Sequence, residues 1–507
     1  MIDRVLRGAS RPVDSSSLGA FRFLLGAVMA GGLCRYVLQG WIEVVFVEPT
    51  FFFKYPGFEW VSVPGPLGLY GLFGAALLGA LGVALGTFHR ISLAVFLAAF
   101  TYIQLMDVTN YLNHYYLVIL FGGLMMFMPL DRRHSLRTWH DPSAERRTLP
   151  VWMLYVLRFQ VAVVYLHAAF AKAGPDWLWF GQPMNIWMAA RSEMFLLGPI
   201  LALPQVPWLM SWAGFLYDLT IVGWLSVRKT RPWAYGAVVV FHAFTFVLFE
   251  IGMFPFIMTV ATTLFFEPDW PSRLKRGIVE VGRRWSDGTR LAGMLSSARW
   301  TGVGPRSARV DASARPASTA SAFVSSSGWS FAGSGSSHGS RLHPVAAVAL
   351  LVWCAFQALY PLRSHLHGGD VLWHERGMRW SWKVMVREKN ASITYRVEDR
   401  TTGREWQVSP RRYLDWRQAN EMAGQPDLIR QLAFHVANDF RERGVPEVAV
   451  RVDAWASLNG RPPHRLIDPE VDLLSLSEAA VRAGTWIEPA PTGAPKAVRT
   501  RRLAGLP

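Results

Sequence analysis

This chain of 507 residues contains ionisable side chains inside long apolar segments, and these side chains have the clearest potential for chemistry. Lys172 ends one such segment in the sequence AAFAKAGPDW, His114 begins another in NYLNHYYL, and His242 lies in the middle of a third. An ionisable side chain within a membrane costs about 2.5–3.5 kcal/mol on insertion scales, so it tends to persist where it lines a cavity or contacts a partner. These three residues are therefore the first candidates for a functional site.

A lysine at this position could act as a general base. In water its amine is almost completely protonated at neutral pH, but burial among apolar side chains disfavours the charged form and makes base catalysis feasible. Ala168 and Ala169 lie one turn before Lys172 and leave room for a flat ring against the helix. Simpler interpretations stay open, because a lysine can extend to the lipid headgroups and His242 and His114 can be packing or interfacial side chains.

The composition that surrounds these residues is that of a membrane protein. Hydrophobic residues make up 51% of the chain and charged residues 17%, with a mean hydropathy of +0.19, which is a low charge for a soluble chain. Apolar segments of about 15 to 24 residues recur, against the roughly 20 residues that cross a bilayer. They predict about nine transmembrane helices, near residues 18–40, 66–87, 91–106, 114–130, 150–173, 207–227, 232–249, 251–266 and 344–361.

The distribution of basic residues predicts the orientation. Arginines cluster before the first segment and in every second loop, whereas the other loops carry Glu43, Glu48, Glu59, Asp107 and Asp176. The arginine-rich side is therefore expected to be cytoplasmic, in a multi-pass protein of the cell (inner) membrane with a cytoplasmic N-terminus. We expect the first segment to be kept as a span rather than cleaved as a signal peptide. The same asymmetry explains most of the +16 net charge, so no nucleic-acid partner is expected.

The predicted fold class is a membrane α-helical bundle of about nine transmembrane helices followed by a small extracytoplasmic α+β domain. Residues 1–270 form the multi-span catalytic domain, 271–343 a basic, disordered, cytoplasmic linker rich in Ser, Ala and Gly, 344–363 the last transmembrane helix, and 364–507 the α+β domain. In that domain SITYRVEDRTTGREWQVS predicts two strands, DLIRQLAFHVANDFRERG an amphipathic helix and EVAVRVDAWASL a further strand. No metal is expected, because no paired-Cys spacing of the kind that binds metals occurs.

Several sequence blocks, taken in order, resemble the vitamin K-dependent γ-glutamyl carboxylase family, whose membrane part is shared with bacterial homologues. The blocks are EPTFFFKYPGFEWV, FHRISLAVFL, NHYYL, AKAGPDW, EIGMFPFIM followed by FEPDWP, WSWKVMV and DAWASLNGRPPHRLIDPEVDLL. The resemblance implies a carboxylase with epoxidase activity that uses vitamin K hydroquinone (reduced menaquinone or phylloquinone), O2 and CO2. It further implies contact with membrane lipid and quinone, and a glutamate-containing peptide or protein as the substrate.

The resemblance also implies roles for individual residues. Lys172 matches the base that deprotonates the hydroquinone, and His114 matches a functionally important histidine that could hydrogen-bond a quinone oxygen. Epoxide formation then releases a strong base that takes a γ-proton from glutamate, so that the carbanion captures CO2. The residues that we predict to contact substrate are Asn113, Trp373, Ser381, Trp382, Arg387 and His242.

Two departures from the family pattern concern the substrate side. Met378 and Arg387 stand where animal members have a tyrosine and a histidine, although Arg387 or Lys389 could pair with a substrate carboxylate. The quinol-oxidising half of the reaction is therefore better supported than glutamate recognition. Two alternatives stay open: oxidation by the same quinol and lysine without CO2 fixation, and a non-enzymatic quinone-binding or lipid-binding membrane protein or transporter.

Overall fold

The structure is a computed structural model that describes residues 2–297 and 342–496. Its first part is largely helical, and strands β1 (Pro12–Asp14) and β2 (Thr148–Pro150) pair there in antiparallel fashion. The helices of this part are α1 (Ile2–Ala9), α2 (Ser16–Leu38), α3 (Pro66–Leu85), α4 (His89–Leu105), α5 (Asn113–Met126), α6 (Leu136–His140), α7 (Val151–Lys172), α8 (Pro175–Leu178), α9 (Met184–Ala189), α10 (Gly198–Leu201), α11 (Val206–Ser226), α12 (Arg231–Leu248), α13 (Phe254–Thr262) and α14 (Trp270–Ser297).

The apolar segments predicted from the sequence are helical, but the predicted count of nine membrane spans is not confirmed. Within the described residues, 5 helices are long and apolar enough to cross a membrane, or 6 if the bent pair Asn113–Met126 and Leu130–His140 is one span. Helix α4 has only 17 residues, which is about 25 Å at 1.5 Å per residue, against a hydrocarbon core of about 30 Å. The chain is thus a multi-pass membrane protein whose shorter helices leave the span number open.

A buried arginine organises one end of the bundle. Arg22 is fully buried in α2 and donates hydrogen bonds to the carbonyl groups of Val83, Ala84, Leu130 and His134. The first two carbonyls belong to the last turn of α3, where helical carbonyl groups lack partners within the helix. The loops predicted to carry the cytoplasmic arginines meet at this end, and the C-terminal part of the chain packs against the other end.

The C-terminal part contains the predicted α+β domain. Its helices and strands are α15 (Pro344–Leu359), α16 (Val371–His374), β3 (Lys389–Asp399), β4 (Glu405–Val408), α17 (Trp416–Ala423), α18 (Pro426–Glu442), β5 (Val448–Leu458), β6 (His464–Arg465) and α19 (Glu478–Ala483). The antiparallel sheet has the order β4-β3-β5-β6. Leu428, Leu432 and Val436 are fully buried one turn apart on α18, which is the spacing of a helix that covers a core with one face. The three predicted strands and the amphipathic helix are thereby confirmed.

The predicted linker differs from the structure at its beginning. Helix α14 continues to Ser297, so the expectation of disorder is wrong for residues 271–297. Apolar residues such as Leu274, Ile278 and Val281 recur there at helical spacing between arginines and lysines, which is a helix-forming pattern. The rest of the predicted linker, residues 298–341, lies outside the described residues.

Buried polar contacts dock the α+β domain on the bundle. Gln418 of α17 donates its amide hydrogens to the carbonyl of Phe51 and to Oδ2 of Asp107, both at 2.8 Å. Gln431 of α18 pairs with the backbone of Lys54 through two hydrogen bonds of 2.9 and 3.0 Å. All three partners in the bundle lie in loops between apolar helices, so the domain is fixed to the ends of those helices.

A second docking contact lies directly after α7. Asp176 accepts hydrogen bonds from both terminal nitrogens of Arg461 at 2.6 and 2.7 Å, and from the amide of Asn459 at 2.9 Å. A bidentate arginine–carboxylate pair fixes geometry as well as adding energy. The sequence blocks AKAGPDW and DAWASLNGRPPHRL therefore contact each other, four residues beyond Lys172.

We predict that Arg461→Gln loosens this docking. The loss of charge-assisted hydrogen bonds costs about 1.5–3 kcal/mol, so the thermal midpoint of the detergent-solubilised protein should fall. Arg482→Gln is the matched control, because Arg482 pairs with Glu478 on an exposed helix surface and such pairs contribute little. Equal midpoints for the two variants, followed by intrinsic fluorescence, would contradict a docking role for Arg461.

Candidate active site

Lys172 is the last residue of α7, and the residue is buried with 6% exposure. Its Nζ donates hydrogen bonds to Asp218 Oδ2 at 2.9 Å, to the Val384 carbonyl at 3.2 Å and to the Ala168 carbonyl at 3.4 Å. It also lies 5.3 Å from the ring centre of Trp177. Lys172 therefore points into the protein and does not extend to the lipid headgroups.

Asp218 is the functional candidate that the sequence analysis missed. It lies on α11, is as buried as Lys172, and forms a salt bridge with it. The apolar surroundings expected for Lys172 therefore also contain a carboxylate. The signal was present in the sequence, because Asp218 is the only charged residue between positions 207 and 227, and an ionisable residue in an apolar helix usually has a partner of opposite charge.

The pair borders a cavity of about 180 Å³ between α7, α11, α12 and α13. The lining is mainly apolar and aromatic, and it includes Phe241, Phe244, Phe254, Met210 and Met258. A cavity of roughly 150 Å³ suffices for a benzene ring in another protein, so an aromatic head group fits here. An apolar cavity with few convergent polar groups is the usual form of a small-molecule site.

His242 is one of the polar groups of this cavity. Its Nε2 lies 3.2 Å from the hydroxyl of Tyr165, which in turn lies 3.3 Å from the hydroxyl of Tyr217. Its Nδ1 is buried without a hydrogen-bond partner among the described residues. A buried polar atom without a partner is costly, and a ligand hydroxyl in the cavity would offer one. The residues present thus fit an aromatic ligand that carries hydroxyl groups.

His114 does not border this cavity in the described structure. Its ring lies 5.9 Å from the ring of Phe254, and the ring of His242 lies 5.6 Å from the same phenylalanine. The two predicted histidines therefore contact one cavity-lining side chain. Nε2 of His114 is also buried without a partner among the described residues.

A second, polar pocket of about 220 Å³ lies between the bundle and the α+β domain. Its charged lining residues are Glu375, Arg379, Lys383, Arg387 and Glu421, and the predicted residue Asn113 lines it too. Three cations face two carboxylates, so the pocket has an excess of positive charge. Such a pocket is suited to a ligand carboxylate.

The cations of this pocket differ in their partners. Arg387 contacts Glu375 at 2.5 Å and Glu421 at 3.8 Å, and Arg379 contacts Asp427 at 2.7 Å. Lys383 has no hydrogen-bond or salt-bridge partner among the residues that the structure describes, and burial lowers its pKa. Lys389, by contrast, is bound by Glu375 and two backbone carbonyls, and burial lowers its pKa to about 8. Lys383 is therefore the cation with free hydrogen-bonding capacity.

One short segment separates the two cavities. The Val384 carbonyl accepts a hydrogen bond from Lys172, Met385 lines both cavities, and Lys383 and Val386 line the polar one. Met385 has a φ of 51° and Trp382 a φ of 56°. Bulky residues rarely adopt this left-handed conformation, which costs on the order of 1–3 kcal/mol and is concentrated at functional sites. We call residues 382–386 the partition segment.

Three predicted substrate contacts lie elsewhere in the structure. Trp373 is buried in the core of the α+β domain and donates to the Glu488 carbonyl at 2.7 Å. Ser381 donates to the Met378 carbonyl, and Trp382 stacks on Tyr116 at 5.2 Å within the bundle core. None of these three side chains lines either cavity in the described structure. Their contacts in the structure hold the partition segment and the residues that precede it in place.

Two family models match this chain. The model described as the HTTM domain matches residues 10–270, which include Lys172, Asp218 and His242. The model described as the vitamin K-dependent gamma-carboxylase lumenal domain matches residues 342–493, which include the partition segment and the polar pocket's basic residues. No solved structure matches the chain significantly. Since the two models follow each other in this order and together cover most of the sequence, the chain belongs to the vitamin K-dependent γ-carboxylase family.

Proposed function

We propose that the protein is a vitamin K hydroquinone-dependent γ-glutamyl carboxylase with epoxidase activity. The observation that carries the proposal is the buried Lys172–Asp218 pair, which borders an apolar cavity large enough for an aromatic ring. Met385 lines both this cavity and the neighbouring cationic pocket. The family supports a carboxylase-like function that depends on vitamin K. The two adjoining cavities support the proposal, because one is suited to an apolar ring and the other to a carboxylate.

The first cavity is suited to proton removal from an apolar ligand. When bound there, vitamin K hydroquinone supplies, together with O2, the strong base that the carboxylation of glutamate requires. The Lys172–Asp218 pair accepts one proton from a ring hydroxyl, and His242 Nδ1 meets a ring oxygen. The aromatic lining keeps water out, which protects a strong base from being quenched by solvent.

The polar pocket is suited to the glutamate side chain of a peptide or protein substrate. Lys383 Nζ supplies a free cation, and Arg387 or Arg379 can exchange an internal carboxylate for that of the substrate. Charge-assisted hydrogen bonds of this kind are shorter and stronger than neutral ones. A carboxylate held there lies on the far side of Met385 from the first cavity, close to where the strong base arises.

The charge distribution supports the orientation proposed from the sequence. The arginine-rich loops occupy the end of the bundle that carries Arg22, and the α+β domain occupies the other end. By the positive-inside rule, the N-terminus is cytoplasmic and the α+β domain extracytoplasmic in the cell membrane. Both cavities then lie near the extracytoplasmic surface, where a membrane-borne quinol and an exported peptide can meet.

We predict that the purified protein, given reduced vitamin K, O2, labelled CO2 and a glutamate-containing peptide, forms vitamin K epoxide and labelled peptide. Lys172→Met should lower both products by about 100-fold or more, since general acid–base groups contribute roughly that factor. Chromatography of the quinone products and scintillation counting of the peptide measure the two activities.

Lys275→Met is the control for this experiment, because Lys275 is exposed at the opposite end of the bundle. Its activities should equal those of the unmodified protein. Epoxide without labelled peptide would favour quinol oxidation on another substrate, and full activity of Lys172→Met would exclude Lys172 from the reaction. Neither product from the unmodified protein would contradict the proposed function.

We further predict that Lys383→Gln raises the KM for the glutamate peptide by about 10- to 100-fold, which corresponds to the roughly 1.5–3 kcal/mol of a hydrogen bond to a charged group. Epoxide formation at saturating peptide should change little, because Lys383 does not line the first cavity. Initial rates over a range of peptide concentrations test this. An unchanged KM, with Lys389→Gln run as the comparison for a lysine already bound by Glu375, would exclude Lys383 from substrate binding.

A further inference from the structure

A pocket of about 370 Å³ lies at the end of the bundle that is opposite to the α+β domain. It is formed where the turn between α3 and α4 meets the chain that follows α5, and the sequence block FHRISLAVFL begins there. We propose that this pocket binds the head group of an anionic phospholipid that also carries a hydroxyl, as phosphatidylglycerol does, from the membrane leaflet at that end. The inference goes beyond the proposed function and does not depend on it.

Positive charge dominates the lining of this pocket. Three arginines face a single carboxylate, that of Asp131, and they are Arg90, Arg132 and Arg137. Asp131 is bound by Arg137 at 2.6 Å, whereas its contact with Arg132 is 4.0 Å long. Arg90 has no hydrogen-bond or salt-bridge partner among the residues that the structure describes. Its guanidinium group is therefore free to bind a phosphate, for which arginine geometry is well suited.

The start of α4 adds backbone donors to the same pocket. Helix α4 begins at His89, and Phe88 before it forms no side-chain cap. The first hydrogen bond that α4 forms back to Phe88 comes from Ser92, so the N–H groups of the three residues before Ser92 lack partners within the helix. These three residues all line the pocket. The positive end of the helix dipole lies there too, which favours an anion.

His89 gives an independent indication of a ligand. The residue is 4% exposed, and its Nε2 lies 3.2 Å and 3.1 Å from the carbonyl oxygens of Met125 and Met128. Nε2 therefore carries the hydrogen of the neutral ring, and Nδ1 is an acceptor. This Nδ1 is buried without a partner in the described part of the chain, which is costly unless a ligand supplies one. A phosphate diester has no O–H group to donate, so the hydroxyl must belong to another part of the head group.

Two exposed apolar side chains indicate a lipid rather than a soluble phosphate ester. Phe88 is 80% exposed and Ile91 64% exposed, and both line the pocket. Phe88 also has a φ of 43°, a left-handed conformation that bulky residues rarely adopt, and its exposure means that packing within the protein does not offset this cost. Acyl chains beside the head group would cover both side chains. Basic pockets between membrane helices bind anionic head groups in this way on the cytoplasmic side.

Native mass spectrometry of the full-length protein in detergent tests this site. The delipidated protein is titrated with dioleoylphosphatidylglycerol or dioleoylphosphatidylcholine, and the populations of free and bound protein give each Kd. We expect phosphatidylglycerol to bind about 10-fold more tightly than phosphatidylcholine, and Arg90→Gln to weaken its binding by about 10-fold, as for the loss of a hydrogen bond to a charged group. Arg228→Gln is the matched control and should bind as the unmodified protein does, because Arg228 is 81% exposed in another arginine-rich loop.

A second lipid tests the role of the hydroxyl. Dioleoylphosphatidylmethanol has the same charge as phosphatidylglycerol but no head-group hydroxyl, so it should bind the unmodified protein about 5-fold more weakly, as for the loss of one neutral hydrogen bond. The difference should vanish in His89→Gln, which keeps a donor for the two carbonyls but lacks Nδ1. Equal binding of these two lipids to the unmodified protein would overturn the assignment of the hydroxyl to His89.

Three results would overturn the site as a whole. They are equal affinities for phosphatidylglycerol and phosphatidylcholine, equal losses in Arg90→Gln and Arg228→Gln, and displacement of phosphatidylglycerol by an equal concentration of glycerol 3-phosphate. The second result would indicate a general attraction of the basic surface for anions, and the third a site for a soluble phosphate ester. None of the three would affect the proposed carboxylase activity, which is measured separately.

Discussion

The buried ion pair between Lys172 and Asp218 is the interaction on which the rest of the site depends. Each charge alone would be expensive in this apolar environment, and an isolated buried charge is among the most destabilising features a fold can have. Together they hold α7 against α11, and the Val384 carbonyl adds a third contact from the α+β domain. The Val384 contact forms only when the bundle and the domain are assembled, so the surroundings of the pair are tied to the docking of the two parts.

The partition segment turns this docking into an arrangement of two reactants. Its backbone touches Lys172 on one side and its side chains line a cationic pocket on the other. Trp373 is a buried anchor before the segment, and Trp382 is a buried anchor at its first position. Trp382 and Met385 have left-handed backbone conformations. This short, anchored segment separates an apolar cavity from a polar pocket, and the side chain of Met385 lines both.

Much of the fold could be predicted from the sequence, because apolar periodicity is a local property. The apolar helices, the strands β3, β4 and β5, and helix α18 follow from it, and the position of Lys172 at the end of an apolar helix follows as well. Pairing across the chain was harder to predict. Asp218 lies 46 positions from Lys172, so no local pattern links the two residues. A resemblance to a family indicates which positions match along the chain, but it does not give the direction of a side chain. For that reason it could not show that Trp373, Ser381 and Trp382 point away from both cavities. Helix α14 was missed because composition outweighed its periodicity.

The most direct test of this account is an electron cryomicroscopy structure of the protein with reduced vitamin K bound under anaerobic conditions. The account predicts density for the ring in the cavity between α7, α11 and α12, with one ring oxygen within hydrogen-bond distance of the Lys172–Asp218 pair and the other near His242. A ring bound elsewhere, with the Lys172–Asp218 cavity empty or filled by rearranged aromatic side chains, would contradict it.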